Sequence, residues 1–465
     1  MERKDKQFCL LVLAAGKGTR MRSKTPKVLQ TILEEPLLYY PLSASIDAGI
    51  TNISVMVGFE GEKVQSWLDG SFPSVKVLWQ REQLGTGHAA KLAMSWWREY
   101  QNVMVLAGDT PLITAQTLKF FAEHHLDSGN KCTLLSFDLP DPTGYGRVIR
   151  DGASVRIVEH KDANDMELMS HEVNSGMYIF DTKALLSVID KISCDNAQHE
   201  YYLPDAFSLI AANNEKVSAV KIENSNEFLG VNDPVQLADA SVIMRNRILN
   251  SWMLRGVRCM DPCSTWIGPR VTIGEDTMLE PNVQMWGSTR VGGDCRVGSF
   301  TVLNNAVLAD SVTIAGYVRV NNSTVGAGSS VGPFVFMREN VVLMDDVHVG
   351  RFVEIKKSTV DSGSKVPHLS YIGDASIGKK TNVGAGTITC NYDGKDKHKT
   401  IIGDNCFIGS DTMLVAPVTL GDNAMTAAGS TITNDIPDGG LGVGRARQVI
   451  IDNWHARRNK IKGGK

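Results

Sequence analysis

The chain has 465 residues, eight cysteines and a formal net charge of −3 at pH 7. This length predicts two or three domains. The small net charge argues against a protein that binds nucleic acids or membrane surfaces. The cysteines are scattered and form no C-x-x-C pair, which argues against zinc and dithiol sites and is typical of a reducing cytoplasm.

The first element is an apolar run that predicts a buried strand over Phe8–Ala14. The basic start of the chain and the small residues after the run also resemble a short signal peptide. The strand is favoured because the run is short and turn residues follow at once. No apolar run reaches the ~18 residues of a membrane-spanning helix. We expect a cytoplasmic protein without membrane insertion.

Strands and helices then alternate as far as about Asn232. The predicted strands are Asn52–Val57, Val75–Trp79, Asn102–Ala107 and Lys131–Phe137, and the predicted helices are Leu37–Ala48, Gly87–Trp97 and Thr114–Ser128. Near-continuous apolar strands separated by helices indicate a parallel sheet covered on both faces, that is, a Rossmann-like α/β domain. Ligands of such domains bind at the carboxyl ends of the strands.

The turn after the first strand, LAAGKGTRM, is rich in glycine and cations. It has neither the spacing of a Walker loop nor the third glycine of the dinucleotide fingerprint. Backbone N–H groups of such a turn can hold phosphate oxygens. Together with the following TPKVL, the turn resembles the signature of sugar-1-phosphate nucleotidyltransferases, which implies that Arg20 and Lys27 neutralise charge as pyrophosphate leaves. The alternative is a structural turn with solvated cations.

Two later strand ends carry further candidates. After the third predicted strand, Gln80 can read the edge of a base, with Gly85 and Thr86 packing against base or ribose; the alternative is a loop that ends in a helix cap. Gly108 and Asp109 follow the fourth strand, where a hard carboxylate suits Mg²⁺ that bridges phosphates. The alternative for Asp109 is an ordinary polar residue before a helix.

A long helix is predicted over 233–256 as a strut between domains. Asp233 can cap it, Pro234 suits its first position, and Gly256 suits the position just beyond its end.

Beyond this helix, an aliphatic residue followed by glycine recurs from Ile267 to Gly421, and many of the spacings are six or multiples of six. This period predicts a parallel β-helix of hexapeptide repeats, a solenoid of the left-handed kind. We therefore expect an α/β domain at 1–232, which the resemblance of its first turn marks as a nucleotidyltransferase, a linker helix at 233–256, a β-helix at 257–441 and a basic tail at 442–465.

The richest polar run of the predicted solenoid lies at 352–394. It contains His368 near Glu354, Lys356, Tyr371 and Asn382, and a solenoid corner needs none of these side chains. A neutral imidazole near pH 7 can take the proton from an attacking amine, and a backbone N–H such as that of Ala385 can hold an oxyanion. The alternative is a structural histidine.

Two segments interrupt or follow the repeats. CNYDGKDKHKT breaks the hexapeptide phase, as an excursion between Thr389 and Ile401 would, and such excursions often line the binding face. The basic tail is either a frayed end or a segment whose Arg445 meets the phosphates of coenzyme A. A nucleic-acid partner is not expected, because the tail is short and the rest of the chain is not basic.

Taken together, the chain resembles the family of bacterial bifunctional N-acetylglucosamine-1-phosphate uridylyltransferase / glucosamine-1-phosphate N-acetyltransferases. The resemblance rests on LAAGKGTRM, QLGTGHA, PTGYGR, VEHKDA, GAGTITCNYDG and LVAPVT. It implies a homotrimer, with acetyl sites between neighbouring solenoids, that makes UDP-N-acetylglucosamine. Acetyl-CoA would acetylate glucosamine 1-phosphate; N-acetylglucosamine 1-phosphate would then attack the α-phosphorus of UTP, with Mg²⁺, and release pyrophosphate.

Carried over residue by residue, the resemblance implies three sets of site residues. The uridine nucleotide, its sugar and the metal would be held by Leu13, Ala14, Ala15, Gly16, Lys27, Gln80, Gly85, Thr86, Gly108, Asp109, Gly146, Glu159, Asn174 and Asn232, with Asp109 and Asn232 as the metal ligands. The amino-sugar phosphate would be held by Arg338, Lys356, Tyr371 and Asn382, with His368 as the base. Acetyl-CoA would contact Ala385, Asn391, Tyr392, Ser410, Ala428 and Arg445.

The chain departs from the family pattern after Arg338, where Pro-Gly is expected and Glu339-Asn340 stands. Two rival functions also stay open. One is a monofunctional sugar-1-phosphate nucleotidyltransferase with a structural β-helix, against which His368 and the CNYDG loop argue. The other is a non-enzymatic nucleotide-sensing subunit, against which the presence of Asp109, Lys27 and Arg20 argues.

Overall fold

A computed structural model of the chain describes residues 6–151 and 154–462. The first residues of the signal-like start and the last three residues of the predicted tail lie outside the described residues. The chain divides into two compact units, Met1–Arg247 and Ile248–Lys465. Among the described helices, none has both the length and the apolar character that crossing a bilayer requires.

The first unit is an α/β domain. Its strands are β1 (Phe8–Ala14), β2 (Thr31–Ile32), β3 (Glu35–Pro36), β4 (Ile53–Val57), β5 (Lys76–Trp79), β6 (Asn102–Ala107), β7 (Cys132–Asp138), β8 (Arg147–Asp151), β9 (Ser154–Val158), β10 (Glu172–Asp181) and β11 (Val217–Lys221). Its helices are α1 (Tyr39–Asp47), α2 (Gly61–Ser71), α3 (Thr86–Leu92), α4 (Met94–Trp97), α5 (Ala115–Ser128), α6 (Asp165–Leu168), α7 (Thr182–Val188) and α8 (Pro204–Ala212), with 3₁₀ turns at Thr19–Met21, Lys27–Leu29, Ile189–Lys191 and Ser225–Phe228.

The main sheet has the order β11-β7-β10-β6-β1-β4-β5, with the hairpin β8–β9 attached to β10. Strands β6, β1, β4 and β5 are parallel, but β10 is antiparallel to both β6 and β7. The five predicted strands, β1, β4, β5, β6 and β7, are thus parallel to one another as expected, and the antiparallel strand is β10, which is not among the predicted strands. A parallel strand needs a crossover that carries the chain back along the sheet. Between β7 and β10 the chain offers only a hairpin and the four-residue helix α6.

The core lies on both faces of this sheet. Leu11 of β1 packs into one buried cluster, whereas its neighbours Leu10 and Val12 pack into the other. Strand β1 is therefore apolar along its whole length. The predicted helix 87–97 is in fact two helices, α3 and α4, which meet at Ala93.

Helix α9 spans Pro234–Met253. The Asp233 carboxylate caps it by accepting hydrogen bonds from the N–H groups of Val235 and Gln236, each at 2.9 Å. Gly256 lies beyond its end with φ +92°, a conformation that favours glycine. The predicted start, cap and terminating glycine are thus in place, and the helix itself ends three residues earlier.

The second unit is a three-sided parallel β-helix, and the predicted solenoid is confirmed. One side consists of Arg258–Cys259, Met278–Leu279, Arg296–Val297, Thr313–Ile314, Ser330–Val331, His348–Arg351, Lys365–His368, Asn382–Val383, Phe407–Ile408, Met425–Thr426 and Leu441–Gly442. The second consists of Trp266–Ile267, Gln284–Trp286, Val302–Asn304, Val318–Asn321, Val335–Met337, Val353–Lys356, Tyr371–Gly373, Ile388–Cys390, Met413–Val415 and Thr431–Ile432. The third consists of Thr272–Ile273, Arg290–Val291, Val307–Leu308, Thr324–Val325, Val342–Leu343, Thr359–Val360, Ala375–Ile377, Thr400–Ile402 and Val418–Leu420. Helix α10 (Trp454–Lys462) follows in the tail.

The aliphatic residue of each repeat fills the interior of the prism. Ile267, Val349 and Ile408, for example, are completely buried in one continuous cluster. Each coil covers the apolar side chains of the next, which explains why the repeat must be sustained along the chain.

One corner of the prism carries an exposed aromatic ladder, which we define as Phe300, Tyr317, Phe334 and Phe352. Neighbouring rings stack with centroids 4.9–5.1 Å apart. Between 47% and 57% of each residue is exposed, which is unusual for a row of large apolar side chains.

Candidate active sites

A cavity of about 350 Å³ opens at the carboxyl ends of the parallel strands of the first unit. Its lining includes many of the predicted nucleotide-binding residues, namely Leu13, Ala14, Ala15, Gly16, Lys27, Gln80, Gly85, Thr86 and Asp109. A second cavity of about 240 Å³ is lined by Leu13, Thr86, Glu159 and Asn174, among others. Since Leu13 and Thr86 line both, the two cavities are neighbouring compartments of one site.

Three predicted residues meet beside the first compartment, whose lining includes two of them, Lys27 and Asp109. The Lys27 ammonium donates hydrogen bonds to Oδ2 of Asp109 and, at 3.0 Å, to Oδ1 of Asn232. Asp109 lies two residues after the end of β6, and its carbonyl accepts a hydrogen bond from the N–H of Val231 at 2.9 Å. This bond ties the loop before α9 to the strand end, and so brings Asn232 beside Asp109.

The glycine-rich turn is shaped around the lysine. Gly18 has φ +58°, and a Cβ atom there would lie 2.6 Å from Cβ of Lys27. A side chain at 18 would therefore push the lysine stem away. Gly16 has open space around its missing side chain, as a backbone that receives a ligand requires. Arg20 is exposed in the 3₁₀ turn. Burial raises the pKa of the nearby Tyr145, and the charge of Arg20 opposes this rise to a smaller extent.

The loop 80–86, which we call the Gln80 loop, is held in place by hydrogen bonds within the protein. The Gln80 side chain is 4% exposed; its Nε2 donates to the Gly85 carbonyl at 3.0 Å and lies 3.2 Å from Nδ1 of His88. Gly85 has φ +106°, and a Cβ atom there would lie 2.5 Å from the Tyr201 carbonyl oxygen. The hydroxyl of Thr86 accepts a hydrogen bond from the N–H of Leu203 at 3.0 Å. The loop is thus fixed against the segment before α8.

The second compartment is built around Glu159. The backbone of Gly146 passes so close that a Cβ atom there would lie 3.2 Å from Oε1 of Glu159. Its carbonyl accepts a hydrogen bond from the N–H of Asn174 at 2.9 Å. Burial raises the pKa of Glu159, and the neighbouring carboxylates of Asp162 and Asp205 raise it further. Gly108 lies behind the lining and donates its N–H to the carbonyl of Leu13 at 2.9 Å.

Sequence reasoning missed several lining residues. Glu200 and Gly176 line both compartments, and Tyr178 and Tyr202 line the second. The hydroxyl of Tyr178 is buried in the wall of the second compartment. Gly176 and Tyr178 follow Asn174 at a bulge in β10. The signal that could have found Glu200 is the run EYYLPD, an acid and two tyrosines at the start of a helix.

The second candidate site lies on the β-helix around His368. This residue ends the strand Lys365–His368 and its side chain is exposed. Its carbonyl accepts a hydrogen bond from the N–H of Gly386 at 3.4 Å, so Ala385 lies on the next coil beside it. Neighbouring coils pair Glu354 with Tyr371 and Lys365 with Asn382. The structure therefore brings the predicted base, oxyanion donor and sugar-binding residues onto consecutive coils.

The cations predicted to hold a sugar phosphate each have a carboxylate close by. Arg338 Nη1 lies 3.2 Å from Oε1 of Glu354, and Lys356 Nζ lies 3.6 Å from Oε1 of Glu339. Lys357 also approaches Glu339, at 3.7 Å. Arg338 directly follows the strand Val335–Met337 and still donates its N–H to the Ile355 carbonyl at 2.9 Å, and the departure from the expected Pro-Gly adds a carboxylate beside the lysines.

The predicted excursion is present between Ile388–Cys390 and Thr400–Ile402. It is anchored by the Asn391 side chain, whose Nδ2 donates to Oδ2 of Asp374, and by a bridge between Tyr392 and Lys397. Lys356 lies near enough to Lys397 to lower its pKa by repulsion between the two ammonium groups. The loop therefore folds back towards the candidate sugar-phosphate site.

A column of small residues runs from the His368 region along one corner. The N–H of Asp411 donates to the Ala385 carbonyl at 2.7 Å, and the N–H of Gly429 donates to the Ser410 carbonyl at 2.8 Å. Ala385, Ser410 and Ala428 thus occupy equivalent corners of successive coils. Arg445 is exposed beyond the final strand.

Comparison with known proteins gives matches along both units. The family described as Nucleotidyl transferase matches residues 10–253, the GMPPB C-terminal domain matches 262–360, and Bacterial transferase hexapeptide (six repeats) matches 399–434. A Bifunctional protein GlmU from Caldanaerobacter subterraneus subsp. tengcongensis is 45% identical over 452 residues, 97% of this chain and 98% of the relative. Proteins with the same name from Exiguobacterium sibiricum (44% identical; 96% and 99% covered) and Clostridioides difficile (42% identical; 97% and 98% covered) are similar to it over comparable lengths.

Proposed function

Because this chain belongs to the bifunctional GlmU family, we propose that it acetylates glucosamine 1-phosphate with acetyl-CoA and then transfers uridylyl from UTP to the N-acetylated product. The observation that carries the proposal is the presence of two separately built sites, each in its own unit. One is the compartmented cavity at the edge of the α/β sheet. The other is the set of coils around His368.

In uridylyl transfer, the glycine-rich turn binds the triphosphate through its N–H groups, and Gln80 with Gly85 reads the uracil. Arg20 and Lys27 neutralise the charge that develops as pyrophosphate leaves. The sugar phosphate attacks the α-phosphorus directly, so positioning and charge stabilisation supply the catalysis. In the second compartment Glu159 and the hydroxyl of Tyr178 offer partners for the sugar.

A divalent cation fits this site. The oxygens of Asp109 and Asn232 already converge on one cationic atom, Nζ of Lys27, and hard oxygen ligands suit Mg²⁺. Among the described residues no cluster of three or more His, Cys, Asp or Glu is placed to hold a metal, so the remaining ligands would come from the nucleotide and water. When bound, Mg²⁺ neutralises the triphosphate and orients it.

In acetyl transfer, His368 takes the proton from the amine as it attacks the thioester, and the N–H of Ala385 holds the oxyanion. Arg338, Lys356, Tyr371 and Asn382 hold the sugar phosphate. Acetyl-CoA lies along the Ala385, Ser410 and Ala428 column, with Asn391, Tyr392 and Arg445 as further contacts. The small side chains of the column support this placement, because they leave backbone N–H groups open to a ligand.

We propose the same organisation for the whole chain: a uridylyltransferase domain at 1–232, a linker helix at 233–256, an acetyltransferase β-helix at 257–441 and a tail at 442–465. We also propose a cytoplasmic homotrimer. The unbridged state of all eight cysteines supports a reducing compartment. The exposed aromatic ladder, beside a groove of about 740 Å³ that reaches Tyr371, supports assembly of several copies.

The test is an incubation with glucosamine 1-phosphate, acetyl-CoA, UTP and Mg²⁺, with the product identified by mass. We expect UDP-N-acetylglucosamine, pyrophosphate and free CoA. Free CoA should disappear for His368→Ala while uridylyl transfer to added N-acetylglucosamine 1-phosphate continues. If wild type releases no CoA, the β-helix is structural and the monofunctional alternative is correct; if it releases no pyrophosphate either, the chain is not an enzyme of this kind.

A further inference from the structure

We propose that Lys27 acts as an internal counter-ion that closes the metal site of the free chain, so that a divalent cation enters only together with the nucleotide. This inference rests on the proposed uridylyl transfer and on its metal ligands. It concerns the order in which ligands bind, and it assigns Lys27 a role before the reaction as well as during it.

The first argument is that the Lys27 ammonium and a divalent cation would bind to the same side-chain oxygens. The Lys27 ammonium donates to both Asp109 and Asn232, the two side chains that would coordinate the metal. The Lys27 and Asp109 side chains are 13% and 20% exposed, so solvent screens their attraction only in part. A divalent cation that arrives alone must displace an ammonium from its partners and repel it at close range.

The second argument is that the backbone that carries the two ligands is held in place, whereas the ammonium is at the end of a flexible side chain. The carbonyl of Asp109 is bonded to Val231, and the backbone N–H of Asn232 donates to Oε1 of Gln236 at 2.8 Å. The base of the lysine side chain is confined by Gly18. A lysine stem has several rotatable bonds beyond Cβ, so Nζ can leave while the backbone that carries the two ligands stays in position.

The third argument is that the phosphates of a bound nucleotide would give the Lys27 ammonium other partners than Asp109 and Asn232. The open backbone at Gly16 lies in the same cavity as Lys27. Phosphates bound there would draw Nζ away from Asp109, and the vacated oxygens would then accept the metal. Binding of nucleotide and metal is thereby coupled, and the coupling must be reciprocal.

The test is direct titration with MnCl₂ as the probe, by calorimetry, on the full-length chain without nucleotide. We expect Lys27→Met, which keeps the stem and removes the charge, to bind Mn²⁺ about tenfold more tightly than wild type, within the usual range of coupling between sites. Lys17→Met is the matched control, since Lys17 is an exposed cation of the same turn. It should bind Mn²⁺ as wild type does.

A second measurement uses wild-type crystals soaked in MnCl₂. Anomalous density between Asp109 and Asn232 should be absent without UTP and present with it, and Lys27→Met crystals should show the density in both cases. Equal Mn²⁺ affinity for wild type and Lys27→Met, or metal density in wild type without UTP, overturns the inference. Product formation in the mass assay is measured on the same preparation, so loss of the inference is distinguished from loss of the proposed function.

Discussion

Gly85 is a position where both the backbone conformation and the surrounding atoms exclude any residue with a Cβ atom. Its backbone, with φ +106° and ψ 174°, lies in a region that is essentially restricted to glycine and costs about 1–3 kcal/mol for other residues. In Gly85→Ala the new methyl group would also lie 2.5 Å from the Tyr201 carbonyl oxygen and 2.8 Å from the Tyr201 nitrogen. These are backbone atoms, which cannot rotate away.

The methyl group must therefore separate the loop from the segment before α8. That segment is joined to the loop by two backbone hydrogen bonds, from Tyr201 N–H to the Leu84 carbonyl at 2.9 Å and from Gly87 N–H to the Tyr201 carbonyl at 2.8 Å. Each such bond contributes about 0.5–1.5 kcal/mol. Together with the backbone strain, the expected cost is about 2–6 kcal/mol.

The assay is uridylyl transfer at varied UTP, with CoA release by the same preparation as an internal reference. We expect the KM for UTP to rise at least tenfold and the unfolding temperature of the first unit to fall, while CoA release is unchanged. Gly129→Ala is the control, because Gly129 has φ +65° but open space around it, and it should lose stability without a change in KM. An unchanged KM for Gly85→Ala would refute the reasoning.

Three further outcomes are expected. His368→Ala should lower the rate of acetyl transfer by about 10²–10⁴-fold, the usual contribution of a general base, with the kcat of uridylyl transfer unchanged. Glu339→Gln should lower the KM for glucosamine 1-phosphate in acetyl transfer severalfold at constant kcat, since the carboxylate competes with the phosphate for Lys356. The control Glu280→Gln breaks an ion pair elsewhere on the β-helix and should leave this KM unchanged. An equal fall in KM for both variants would contradict the prediction. Burial lowers the pKa of His125 from 6.5 to about 4, so the unfolded chain takes up the proton first and stability is lost as the pH falls from about 6.5 towards about 4. Unfolding by denaturant across this range should show that slope, and His125→Gln should flatten it.

Much of the fold could be predicted because its signals are local and repeated. Phe8–Ala14 and Asn102–Ala107 are strands with the predicted bounds, since an apolar run between turn residues leaves little choice. The hexapeptide period repeats over many coils and predicts the prism. The direction of β10 could not be predicted in this way, because it depends on how the chain returns from the hairpin β8–β9, and an apolar strand reads the same in either direction.

The candidate sites show the same division. Residues next to a strand end, such as Gly16, Gln80 and Asp109, line the first cavity as expected. The position of the Lys27 ammonium could not be predicted, because its partners lie 82 and 205 residues away along the chain. Glu200 was missed for a related reason: it reaches the cavity from a segment whose pairing with the Gln80 loop only the folded chain reveals.

The two units have separate apolar interiors: residues of the α/β sheet and its helices form two clusters, and the prism forms a third. We therefore expect a substitution in one site to leave the other site folded. A mixture of one variant defective in acetyl transfer and another defective in uridylyl transfer should form UDP-N-acetylglucosamine, since N-acetylglucosamine 1-phosphate can diffuse from one protein to the other. Substitutions can accordingly accumulate in one unit without a compensating change in the other.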